Sequence, residues 1–223
     1  MATTSDALRR RIMALTGLAE DDVRALILEV SDFAGRALAL EAALPILIDT
    51  YGQAAGAVAA EWYDEYRETL DVPGRFRAPV APMADDAGAA ELLAWARATA
   101  TTPDNMIELV NGGMQRRVAN QARLTVMGAA NIDPRSTGWR RIGVGKNCAF
   151  CDMLISRGAV YTEQSVRFGT HDKCNCQAAP AFGRWSDASE VDDFTPSPRR
   201  RSAETTAADV ERAKKWIADN LVG

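Results

Sequence analysis

Histidine is nearly missing: the 223 residues contain one, His171, which leaves a single imidazole for any acid–base or metal chemistry. Long hydrophobic runs are missing too. A membrane span needs roughly 18 consecutive apolar residues, and Asp49, Glu61 and Arg97 interrupt the richest segments. The opening residues pass through Arg9, Arg10 and Arg11 into a short apolar patch and then Glu20-Asp21-Asp22, which lacks the pattern of a secretory signal. The expectation is a non-secreted, intracellular protein with no membrane partner. Neither a Gly-x-Ser-x-Gly turn nor a His-Glu-x-x-His helix occurs, and no internal repeat is present. Net charge is only −4, but residues 1–130 carry 12 Lys and Arg against 18 Asp and Glu, and residues 131–223 carry 14 against 12. That asymmetry is a weak pointer to nucleic-acid contact in the C-terminal part, since phosphate binding needs a local basic face.

What is abundant is apolar residues, 47% of the chain, enough for a substantial core. The predicted fold class is α+β, mainly α. Val23, Leu26, Ile27, Val30 and Phe33 recur at helical steps, as do Leu47, Tyr51, Ala54, Val58, Trp62, Tyr66 and Leu70. Ala54, Ala55, Gly56, Ala57, Ala59 and Ala60 put little bulk on the second helix, so a neighbouring helix can approach closely. Asp71-Val-Pro-Gly, Pro79 and Pro82 make residues 71–86 a loop. Thr102-Pro103-Asp104 opens a further helix, whose face is Ile107, Val110, Met114 and Val118. Gly112-Gly113 within it costs roughly 1 kcal/mol per glycine relative to alanine, and a kink or a close backbone contact is the expected compensation.

After Asp133-Pro134 the texture shortens: a strand at 139–144, a helix at 148–157, a strand at 159–162 and a third strand at 177–182. Elements this short need a staple. The chain is expected to divide into a helical domain (1–102), a cysteine-bearing α/β subdomain (103–183), a polar linker (184–203) and a terminal amphipathic helix (204–223) with the stripe Val210, Ala213, Ile217 and Leu221.

All four cysteines and the histidine lie within 29 residues, as Cys148-x-x-Cys151 and, after 19 intervening residues, His171-x-x-Cys174-x-Cys176. Two close pairs joined by a loop suit tetrahedral zinc. Cys148, Cys151, His171 and Cys174 are the favoured set, and Cys176 can replace Cys174 or His171. A structural zinc adds on the order of 10 kcal/mol to a region otherwise too small to fold well. Disulfides would give His171 no role, and a redox Cys-x-x-Cys would want a thioredoxin-like alternation of elements that is missing. Catalytic zinc would need an open position and a base; Asp152, Glu163 and Asp172 are nearby but equally explained as solvated surface. Arg135, Arg140, Arg141 and Lys146 could form a phosphate-facing patch with Trp139 as a stacking face, although Trp139 is more readily read as core.

The sequence Cys148-Ala-Phe-Cys151-Asp-Met-Leu, then Arg157-Gly-Ala-Val-Tyr161, then His171-Asp-Lys-Cys174-Asn-Cys176 closing on Ala179-Pro180-Ala-Phe182 resembles the C-terminal domain of phage Mu F-like minor head proteins. It is most similar to the branch from phages of actinobacteria. The resemblance covers about residues 105–182, with Gly112-Gly113-Met-Gln-Arg116 and Gly138-Trp139 upstream. It implies a minor capsid protein acting in head morphogenesis, portal-associated, inside the head of the virion and in the host cytoplasm during assembly. Portal and major capsid proteins are the implied partners, packaged DNA a further one, and no small-molecule substrate is expected. Members of that branch are often labelled capsid maturation proteases, which is the alternative function. A conventional triad would need His171 as base, the residue assigned here to zinc. A Ser–Lys pair from Ser136 or Ser156 with Lys146 has nothing in its spacing to select it.

Overall fold

A computed structural model describes residues 5–83, 88–143, 149–159, 161, 168–174 and 176–183. The order of elements is α1 (Ser5–Ile27), α2 (Phe33–Thr69), α3 (Ala89–Thr99), α4 (Pro103–Ile132), β1 (Gly138–Ile142), α5 (Ala149–Ile155) and β2 (Gln177–Ala181). The fold is mainly helical with a small two-stranded sheet, as the sequence predicts. The expected linker (184–203) and terminal helix (204–223) lie outside the described residues, as does Cys148.

Leu8, Ile12, Ala19, Val23 and Ile27 give α1 one buried stripe at four- and seven-residue steps. The periodicity read through Val30 to Phe33 does not continue as one helix, because α1 ends at Ile27 and α2 begins at Phe33. Asp32 breaks it: its backbone is extended and its carboxylate accepts from the Gly35 N–H at 2.8 Å. A short carboxylate that satisfies an orphan N–H favours a new helix start over continuation. Leu26, assigned to the stripe, is 40% exposed.

α2 runs through Pro45 for 37 residues. Its core face is Leu40, Leu44, Ile48, Ala55, Ala59, Trp62, Tyr63 and Tyr66. The predicted stripe is therefore rotated by about one position, and Leu47, Tyr51, Val58 and Leu70 flank the core as half-buried side chains. The small-residue seam is real. A Cβ added at Gly52 would meet Met83, and one at Gly56 would meet Val80 and approach Thr125 of α4. The long α2–α4 contact depends on this lack of bulk.

Thr102 caps α4 by accepting from the Asn105 N–H at 3.0 Å. Met106, Val110, Met114, Val118, Ala122, Val126 and Ala129 form its buried face. At the far end, fully buried Asp133 meets Arg67 of α2 at 3.0 Å and accepts from the Tyr63 hydroxyl at 3.2 Å. Arg67 also donates to the carbonyls of Val72, Pro73 and Gly74, tying down the chain after α2. Burial first, and the Asp133 charge second, push the Tyr63 phenol up.

β1 and β2 pair antiparallel, from Gly138 opposite Ala181 to Ile142 opposite Gln177. The strand expected at 159–162 is reduced, among the described residues, to a bridge at Tyr161, whose backbone exchanges two hydrogen bonds with Trp139. With Tyr161 bridged to β1, β2 is an edge among the described residues, and Pro180 is tolerated there. One core joins the helices to Trp139, Tyr161, Ala178, Ala179 and Phe182. The expected division at residues 102 and 103 falls in the loop between α3 and α4, and side chains from both sides share that core.

Candidate metal centre

Three short segments converge beside α4. α5 carries Cys151; the turn after Phe168 carries His171 and Cys174; Cys176 immediately precedes β2. The turn closes through the Cys174 N–H donating to the His171 carbonyl at 3.3 Å, with Lys173 at φ 60°. A lysine in the left-handed region is strained. The geometry brings His171 and Cys174 onto one side.

The ligand atoms of Cys151, His171 and Cys174 all lie within 4.8 Å of one another. The Cys151 sulfur is 3.6 Å from those of Cys174 and Cys176, and the last two are 2.8 Å apart. A tetrahedral ion with bonds near 2.3 Å sets its sulfurs roughly 3.8 Å apart, so two edges nearly fit and the third must open by about 1 Å. Nδ1 of His171 lies 2.7 Å from the Asp172 carbonyl. A carbonyl only accepts, so Nδ1 carries the proton and the Nε2 lone pair is left to a metal. Cys151, His171 and Cys174, with Cys176 beside them, can hold a metal ion.

The sulfurs are buried and form their own small cluster with Ile155 and Phe168, whereas His171 is exposed. The Cys174 thiol is lowered to about 5, first by the hydrogen bond from Cys176, and that bond together with burial pushes the Cys176 thiol up. Metal binding takes up cysteines as thiolates and so releases their protons.

The surrounding cradle was not predicted. Gly112, Arg116, Asn120 and Arg123 follow one another on α4 at steps of four, four and three residues. An added Cβ at Gly112 would just touch Asp172, at 3.4 Å. Arg116 pairs with Asp172 at 3.3 Å, and Thr170 donates to the Asn120 side-chain carbonyl at 3.1 Å. Buried Arg123 donates to the carbonyls of Cys174 (3.0 Å) and Cys176 (3.0 and 2.9 Å). Burial lowers the Arg123 guanidinium, and the nearby cysteines oppose that shift. The sequence does carry a signal for the cradle in this polar stripe on a helix whose other face is apolar. Gly113 faces the other way, where a Cβ would collide with Leu92 of α3, so of the two glycines it is Gly113 that serves a close approach.

Other predicted roles fare differently. Trp139 is core, stacked on Tyr161 and Phe168 with centroids 4.6 and 5.6 Å away, and offers no stacking face to a nucleic acid. Arg141 is buried, and Arg140 donates to the Tyr66 hydroxyl, so the basic patch proposed for Arg135, Arg140, Arg141 and Lys146 does not form as drawn. Neighbouring side chains on a strand point to opposite faces, which separates Arg140 from Arg141. Lys146 and Glu163 lie outside the described residues. The Ser136 hydroxyl donates to the Gly138 carbonyl and that of Ser156 to the Met153 carbonyl, both local turn contacts.

A mainly helical protein with a Cys/His cluster able to hold a metal is the class that fold and site define. The model of the VG15 protein family matches residues 1–197, and the chain belongs to that phage-virion-associated family. No curated protein and no solved structure matches it. Among the described residues, no helix is long and apolar enough to cross a membrane.

Proposed function

We propose that this chain is a minor capsid protein acting in head morphogenesis, located inside the phage head near the portal, and that zinc closes its Cys/His site as a structural staple. Membership of a virion-associated family across residues 1–197 carries the first half of the reading. The resemblance of about residues 105–182 to Mu F-like proteins supports the portal-proximal location, with portal and major capsid proteins as proposed partners. Packaged DNA remains a partner in this reading through surfaces other than Trp139 and Arg141.

Convergence of buried sulfurs on an imidazole carries the second half. Thiolate and imidazole favour a soft or borderline divalent ion such as zinc over oxygen-seeking calcium or magnesium. A closed site, serving folding, fits short strands that bury little surface alone.

Two measurements test this. Electron microscopy of assembled heads should locate the chain at the portal vertex in few copies, and its absence from heads would overturn the assembly role. Elemental analysis of protein purified under reducing conditions should find about one zinc per chain; no metal with intact thiols would overturn the staple. Replacing His171 with Cys keeps four zinc-binding groups, so heads should still assemble and mature. A folded, zinc-loaded His171→Cys protein whose heads no longer trimmed their major protein, in a phage that trims it, would instead establish the maturation-protease alternative.

A further inference from the structure

Five ligand candidates compete for four tetrahedral places, and two buried arginines bear on the choice. Arg141, on β1, points one arm of its guanidinium at Cys176 Sγ, 3.0 Å away, and the other at the Gly169 carbonyl, 2.9 Å away. Its guanidinium carbon lies over the Phe168 ring, 3.8 Å from the ring centre. Arg123 approaches the same ring at 5.2 Å and grips the carbonyls on either side of residue 175. A fixed cation therefore stands within hydrogen-bond reach of Cys176 Sγ, which is also fully buried.

Resting on the reading that the site holds a metal, we propose that Arg141 and Arg123 select its ligands: Arg141 makes Cys176 a metal-bound thiolate beside Cys151 and Cys174, His171 takes the fourth place, and Arg123 positions both ends of the Cys-x-Cys segment. Three thiolates around a divalent ion leave one net negative charge, which is costly to bury without a cation. Two guanidiniums in contact with the ligand segment supply that compensation. An N–H donated to a ligand sulfur also fixes its direction, the usual task of groups just outside a metal's own ligands. Arg141 and Arg123 are positioning residues that need not touch the metal.

The test uses the full chain loaded with Co(II) under reducing conditions, where thiolate-to-metal absorption scales with the number of bound sulfurs. Cys176→Ser should lose about one third of that intensity while Cys148→Ser keeps it all. Arg141→Met should release metal to a competing chelator roughly 10- to 100-fold faster than the parent, with Arg141→Lys in between because lysine keeps the charge but not the paired N–H geometry. Full intensity in Cys176→Ser, loss of intensity in Cys148→Ser, or a parental release rate in folded Arg141→Lys would each overturn the assignment. Should Arg141→Met fail to fold, Arg141→Lys and Cys176→Ser carry the decision. A parent chain that takes up no metal overturns the underlying reading as well. Metal in the parent with an unaffected Cys176→Ser overturns this inference alone.

Discussion

Between residues 5 and 132 the chain holds itself together by apolar burial, with Leu40, Leu44, Ile48, Trp62, Met106 and Met114 inside long helices. Each fully buried side chain of this kind contributes roughly 1.5–3 kcal/mol. Between residues 138 and 183 the described elements are five to seven residues long, and the side chains at the centre of the site are cysteines. β1 and β2 join that apolar core through Trp139, Ala178, Ala179 and Phe182, whereas the Cys/His segments are held to α4 by polar contacts and close around a separate cluster of sulfurs. The difference teaches that a short segment can borrow a rigid surface, and in the proposed reading a metal at the sulfur cluster adds a cross-link of its own.

The largest expected effect is on that cross-link. Stripping the metal with a chelator, or Cys151→Ser, should remove on the order of 10 kcal/mol of local stabilisation from the Cys/His region. Hydrogen exchange would then rise at 149–159 and 168–176 while α1 to α4 stay protected. Equal loss of protection in the helices would break the comparison, since the two regions would be one cooperative unit.

Arg67→Met attacks the opposite side. It leaves Asp133 buried without its cation and should cost about 3–5 kcal/mol in urea denaturation, with metal content unchanged. Loss of metal in this variant would show that the helical frame positions the ligands more tightly than the contacts suggest.

The adjacent glycines of α4 sharpen the contrast further. Gly113→Ala drives a methyl into Leu92 and should destabilise by about 1–3 kcal/mol. Gly112→Ala only touches Asp172, so the helix-propensity gain should leave it neutral or up to about 1 kcal/mol more stable. Denaturation midpoints of the two variants check the order, and a reversed order would mean that the turn at His171 sits closer to α4 than α3 does.

The smallest effect belongs to Lys173, exposed at φ 60°. Lys173→Gly should relieve left-handed strain, and glycine's extra unfolded-state entropy offsets part of the gain, leaving less than about 1 kcal/mol of stabilisation. A thermal melt of the metal-loaded chain would detect it. A clear loss would mean that the lysine side chain itself supports the turn.

Much of this architecture was legible without coordinates because it rests on local chemistry. Thr102-Pro103-Asp104 starts a helix wherever it is placed, since its hydroxyl, ring and charge satisfy needs within one turn. Clustering of Cys151, His171, Cys174 and Cys176 is likewise a property of the chain itself. The approximate positions of β1 and β2 were also legible, as short elements after Asp133-Pro134. Other features depend on partners far away in sequence. The face of α2 that becomes core is decided by where α4 lies, so a pattern with apolar residues on adjacent rows, Leu47 and Ile48 or Val58 and Ala59, could not be resolved in advance. Arg141 looked like a surface cation among Arg135 and Arg140; only the pairing of β1 with β2 turns it inward onto Cys176. Arg123 reads as an ordinary helix arginine until residues 174–176 fold back across 51 positions to give it carbonyls to hold. Local hydrogen bonding and periodicity are written in neighbouring residues, whereas charge balance at a buried site is set by whichever distant groups the fold brings against it.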